Sequence, residues 1–219
     1  MIRAKLKVLP IEEVANTITH GFGLLLSVIG FAMLLAIALS RGDRLSMIGC
    51  LIYGSSLVVL YTASTIYHSA SSLRFKKNLQ IVDHCCIYLL IAGSYTPFGL
   101  LIAGDAVGRN LMIAFWSIAV VGIIVKLIIR ARCPAINVIS YLVMGWLGAF
   151  AVQPLMGVLG TVPIALTIAG GVAYSLGVVF FPWKSIKHHH AIFHIFILLG
   201  SIIHYVAIVL YVIPATSLT

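Results

Sequence analysis

Apolar residues in this chain come in long uninterrupted runs, and most charged residues fall in the short stretches between them. Gly21–Leu39 is the first uncharged run, Leu45–Tyr67 the second and Cys85–Ala103 the third. Leu111–Ile129 is the fourth. It is broken only by Lys126, one turn from its end, where a long stem lets the ammonium snorkel toward the headgroups. Cys133–Trp183 carries no charge over 51 residues, which is room for two crossings. The Pro154 to Pro163 stretch, with Gly157 and Gly160, supplies the turn between them. Ala191–Ile213 is the last run. A helix crosses the ~30 Å hydrocarbon core with about 20 residues, so the pattern predicts seven transmembrane helices. The alternation of membrane strands is absent, which predicts an all-α bundle and not a barrel.

Composition agrees with that reading. Of 219 residues, 62% are hydrophobic and 9% charged, where a soluble domain averages about 25% charged. The mean hydropathy is +1.15. So few charges cannot cover a water-soluble globule, which excludes a cytosolic enzyme, a disordered chain and a nucleic-acid-binding domain. The net charge of +9 arises from 14 Lys and Arg against 5 Asp and Glu. Eleven of the basic residues fall on one side of the predicted topology: Arg3, Lys5, Lys7, Arg74, Lys76, Lys77, Lys126, Arg130, Arg132, Lys184 and Lys187. Arg41, Arg44 and Arg109 fall on the other. The positive-inside rule then predicts a cytoplasmic N-terminus and an external C-terminus. The expected organisation is one domain, 1–219, with a short cytoplasmic segment at 1–18. Cys50, Cys85, Cys86 and Cys133 have no C-x-x-C spacing, so neither a disulfide framework nor a zinc ribbon is expected. The first 20 residues are polar and lack a small-residue cleavage site, so no cleavable signal peptide is expected.

Ionisable residues near membrane spans are expensive, and each needs a reason. On the predicted topology His20 opens the first helix at the cytoplasmic side, and His68 closes the second there. Asp83 opens the third, and His190 and His194 open the seventh, at the same depth. His190 and His194 are i, i+4 and share one helix face, the spacing by which H-E-x-x-H helices hold zinc, although the glutamate of that motif is missing. Ser64 and His68 are also i, i+4. Three histidines leave the fourth tetrahedral position of zinc open for water, which Asp83 can hold or deprotonate. His188 and His189 adjoin His190; the spacing from His194 selects His190. Glu13, Asn16 and His20 fall at i, i+3, i+7. They orient ligands or loops if the first helix begins early, or belong to an amphipathic segment on the membrane surface if it does not. His204 lies ten residues beyond His194, about 15 Å deeper. There it faces the bundle interior or a polar cavity, to bind a headgroup or to join helices by a hydrogen bond.

These motifs resemble the hemolysin III branch of the progestin and adipoQ receptor (PAQR) family, within a wider group of membrane hydrolases that includes alkaline ceramidases. The matching pieces are E-x-x-N-x-x-x-H (Glu13, Asn16, His20), S-T-I-Y-H (Ser64 to His68), V-D-H-C-C-I-Y-L-L-I-A-G-S-Y-T-P (Val82 to Pro97) and H-A-I-F-H (His190 to His194), in order along nearly the whole chain. The resemblance implies a zinc ion held by His68, His190 and His194, with Asp83 reaching it through a water and Ser64 nearby. It also implies a multi-pass protein of the bacterial plasma (inner) membrane whose substrate or ligand is a membrane lipid. The expected function is zinc-dependent hydrolysis of a lipid amide or ester, serving membrane-lipid homeostasis. The alternatives are a non-enzymatic lipid sensor with a structural zinc and, third, a cytolysin.

Overall fold

The computed structural model describes residues 9–129 and 134–216, and among these every regular element is helical. Arg3, Lys5, Lys7, Arg130, Arg132 and Cys133 lie outside the described residues. The helices are α1 (Ile11–Arg41), α2 (Arg44–Ser69), α3 (Leu73–Leu101) and α4 (Ala106–Ile129). Then α5 (Pro134–Trp146) passes through a 3₁₀ stretch (Leu147–Ala151) into α6 (Val152–Leu159), followed by α7 (Thr161–Phe180). Last, α8 (His189–Ala207) runs through a π-helical turn (Ile208–Val212) into the short α9 (Ile213–Ala215). Taken as continuous rods, seven of these are long and apolar enough to cross a membrane.

Burial is inverted relative to a soluble protein. Large apolar side chains such as Ile18, Leu25 and Ile128 stand on the outer surface, while Asn16, His20, Ser64, His68, Asp83, Lys126, His194 and His204 are buried. Outside lipid that arrangement would be costly twice over; within it, apolar faces meet acyl chains and polar groups find partners inside. The chain is a multi-pass integral membrane protein.

Local signals set the helix ends. Pro10 precedes α1, and Glu12 and Glu13 stand in its first turn, where the positive end of the helix dipole favours carboxylates. Gly42 ends α1 in the left-handed conformation (φ 70°) with its N–H on the carbonyl of Ala38, a geometry glycine adopts without a Cβ clash. Asp43 then caps α2 by accepting from the Ser46 N–H at 2.7 Å. Between α6 and α7 the reversal is confined to Gly160 (φ 78°), and α6 continues helically through Pro154. The turn is thus much shorter than the Pro154 to Pro163 stretch suggested. Pro154 lies in the first turn of α6 and Pro163 in the first turn of α7, where a missing N–H is harmless.

In the bundle α1 lies against α2 and α8, α2 against α3, α3 against α4 and α5, and α7 against α8. Two helices begin well before their apolar runs. α1 starts ten residues ahead of Gly21, and α3 starts twelve ahead of Cys85. The hydropathy runs mark only the stretch that lipid touches, and amphipathic turns extend each rod beyond it. His20 and Asp83 therefore sit more than two turns inside their helices instead of opening them.

Candidate functional site

His68 near the end of α2 and His190 and His194 in the first turns of α8 converge, with one ring nitrogen from each within 4.8 Å of the others. His68 and His194 are buried. Their ring centroids are 4.9 Å apart, and His190 lies 5.2 Å from His68 and 4.5 Å from His194. Small ring rotations bring such a set to the ~2.0–2.1 Å that zinc requires.

The outer partners decide which nitrogens face inward. His68 Nδ1 donates to Glu13 Oε2 at 2.7 Å, and Lys76 Nζ holds the other carboxylate oxygen at 2.8 Å. His68 Nε2 is buried with no hydrogen-bond partner among the described residues. At His194 the Nδ1 lies 3.2 Å from Thr19 Oγ1. The Thr19 hydroxyl is already aimed at the carbonyls of Ala15 and Asn16, at 3.0 and 2.9 Å. Thr19 is therefore the acceptor, His194 carries its proton on Nδ1, and Nε2 is left as a lone-pair donor. A carboxylate or hydroxyl on the far nitrogen is what orients and strengthens a ligating imidazole. The set fits a zinc-like ion by its chemistry: neutral imidazoles, inward lone pairs and a buried orphan nitrogen.

The other predicted residues surround this cluster. Glu13 touches it directly, which places the early-starting α1 in the orienting role. Asn16 and His20 follow on the same stripe of α1, both buried. The His20 ring stacks edge-on to His194 with centroids 3.7 Å apart, and both its nitrogens lack a partner among the described residues. Ser64, one turn deeper than His68, shares the cavity wall with Asp83 of α3. His189 turns away: it meets the Phe180 carbonyl at 3.1 Å and Glu12 at 3.4 Å. His188, in the left-handed conformation (φ 59°), precedes the helix. Of the three adjacent histidines, only His190 joins the cluster.

A largely apolar cavity of about 280 Å³ opens from this site into the bundle, with His20, Ser64, Asp83, His190, His194 and His204 on its wall. His204 stands apart from the cluster. Its Nε2 donates to the Thr167 carbonyl on α7 at 2.9 Å, and its ring lies against Gly170, where a Cβ would collide with it. It joins α8 to α7.

Three participants escaped the sequence reading. Thr19 looks like any helical threonine until α1 is known to begin at Ile11. Lys76 read as a topology signal only. Lys126 does not snorkel: it is 2% exposed and turns inward to His84 Nδ1. A single charge inside an otherwise uncharged run was the available signal for it.

The family model described as "Haemolysin-III related" matches residues 10–205, a stretch that contains every residue of the cluster and its outer partners. The chain belongs to the haemolysin-III-related family. It is 39% identical to "Hemolysin-3 homolog" of Bacillus subtilis (strain 168), over 95% of this chain and 98% of that one. It is 38% identical to "Hemolysin-3" of Bacillus cereus, over 94% of each. "Monocyte to macrophage differentiation factor" of Homo sapiens is 31% identical over 90% of this chain and 83% of its own length. The match to that animal protein accords with the PAQR resemblance of the four motifs.

Proposed function

We propose that this protein is a zinc-dependent intramembrane hydrolase that cleaves a lipid amide or ester, ceramide-like amides first, in membrane-lipid homeostasis. The observation that carries the reading is a cluster of three metal-competent histidines, two of which share one apolar cavity with a carboxylate and a hydroxyl. A structural clamp between α2 and α8 needs the histidines alone. His68, His190 and His194 would hold the ion, whose chemistry is to polarise an acyl carbonyl and lower the pKa of a water. Asp83 takes the proton of the attacking water. Ser64 holds Asp83 in place, and once that carboxylate is protonated its hydroxyl is released toward the developing oxyanion. The apolar cavity accepts the acyl chain and excludes bulk water from the reacting groups. In this reading the site lies at the cytoplasmic face of a bacterial plasma membrane, which the excess of basic residues at this end supports.

The deciding experiment is lipid turnover by the purified wild type, the zinc-stripped protein and Asp83→Asn. Turnover that depends on both zinc and Asp83 is expected. Turnover surviving in both altered forms removes the mechanism, and no turnover on any lipid class favours a lipid sensor with a structural zinc. The names of the two Bacillus relatives point to a cytolysin as a further reading, which lysis of erythrocytes by the purified protein would reveal. Orientation is checked separately by reporter fusions: Lys76 inside, Arg109 and the C-terminus outside.

A further inference from the structure

His84 follows Asp83 on α3 and lines the same cavity, yet the mechanism above leaves it unused. Its Nδ1 is met by the ammonium of Lys126 from α4. Lys126 is almost fully buried, and no acid among the described residues forms an ion pair with it. A buried cation with no carboxylate in direct contact is costly, so the polar atom it does meet matters. An ammonium has three donors and no acceptor. Nδ1 must therefore offer its lone pair, and the single proton of the neutral ring stands on Nε2. Lys126 thus selects the tautomer of His84. The backbone is held as well: Tyr141 on α5 donates its hydroxyl to the His84 carbonyl at 2.9 Å. The Tyr141 ring packs edge-on against Tyr88, centroids 4.6 Å apart, and the Tyr88 hydroxyl meets Ser140 Oγ at 2.6 Å.

Three helices thereby fix one imidazole whose Nε2 has no partner among the described residues and is not sealed from the cavity. In the reaction scheme Ser64, on the same cavity wall as Asp83, turns to the oxyanion only once Asp83 is protonated. A carbonyl oxygen entering the site needs a donor that is free from the start. We infer that His84 is that donor: through Nε2–H it bonds the carbonyl oxygen of the bound acyl lipid, with Lys126 as a positioning residue behind it. The ligand class rests on the hydrolase reading; the tautomer and its exposure to the cavity do not.

The test uses the full chain, as purified, in nanodiscs of ether-linked lipids, which contribute no acyl carbonyl. With ring-¹⁵N histidine, the His84 signals are those absent from His84→Gln. Wild type is expected to show a bare Nδ1 and a protonated Nε2, and Lys126→Met an average of both tautomers. Adding N-palmitoyl sphingosine should shift the Nε2 signal; a dialkyl ether of equal chain length should not. Where turnover is measurable, His84→Leu should lower it about 10²-fold with zinc content unchanged. His84→Gln, whose amide nitrogen stands close to the former Nε2, should stay within roughly tenfold of wild type. A protonated Nδ1 in wild type, no shift with the amide, or equal loss in both variants overturns the proposal. Absence of turnover with the shift intact removes only the hydrolase reading.

Discussion

Two groups of buried histidines share α8 and differ in how their ring nitrogens are used. At His204 the Nε2–H ends on the Thr167 carbonyl, and the ring fills the space that Gly170 leaves open. That imidazole is a helix joint. At the other group, His68 and His194 spend the Nδ1 proton on Glu13 and Thr19, and the buried His68 Nε2 meets no donor among the described residues. Burying a polar atom without a partner costs about 1–3 kcal/mol. A bundle that ends the His204 Nε2–H on a carbonyl and leaves the inward nitrogen of His68 bare is arranged for something other than protein to meet it. The lesson is general: the far nitrogen tells a ligand from a joint, where burial and spacing do not.

Substitutions sharpen this contrast. His68→Ala or His194→Ala should take zinc from about one equivalent per chain to a small fraction, read by elemental analysis, because two ligands hold the ion far more weakly. His204→Ala should leave the metal in place. If it removed zinc and His68→Ala did not, the two groups would have been assigned the wrong way round. Asp83→Asn should retain zinc while turnover falls by roughly 10²–10⁴, the usual worth of a general base. Glu13→Gln keeps the ligands but weakens the hold on His68, and zinc affinity measured by competition with a chelator should fall roughly 10–100-fold. At the joint, His204→Ala should cost about 0.6–2 kcal/mol in thermal unfolding. Gly170→Ala should cost about 1–3 kcal/mol by overpacking. The double change should cost less than the sum, since removing the ring removes the clash. The smallest effect belongs to His189→Ala, which should keep its zinc; loss there would move a ligand along the histidine run.

The seven crossings were legible because hydropathy runs report directly on contact with lipid. His190 was separable from His188 and His189 because a helix fixes the i, i+4 direction. What periodicity missed were partnerships across helices. Nothing local in Thr19 says it will meet His194, 175 positions away. Nothing in Lys76 says it will brace a carboxylate of α1. The early start of α1 was open between a buried stripe and a surface segment, since Glu13, Asn16 and His20 suit both; contact with α2 and α8 decided it. The snorkelling expected of Lys126 failed because that rule concerns a cation facing lipid, and this one faces a histidine inside the bundle. The reversal at Gly160 was overextended because prolines in a helix's first turn resemble prolines in a loop.

The bracing of His68 by Glu13 and Lys76 also bears on how the protein is made. All three residues lie within the first 76 positions, on the first three helices. His190 and His194 belong to the last crossing helix. Synthesis runs from the N-terminus, so one of the three imidazoles can be oriented before the other two leave the ribosome. An ion that needs all three imidazoles is captured only when the last crossing docks between α1 and α7. Its arrival would mark a finished chain, and a truncated one, however well inserted, would stay empty.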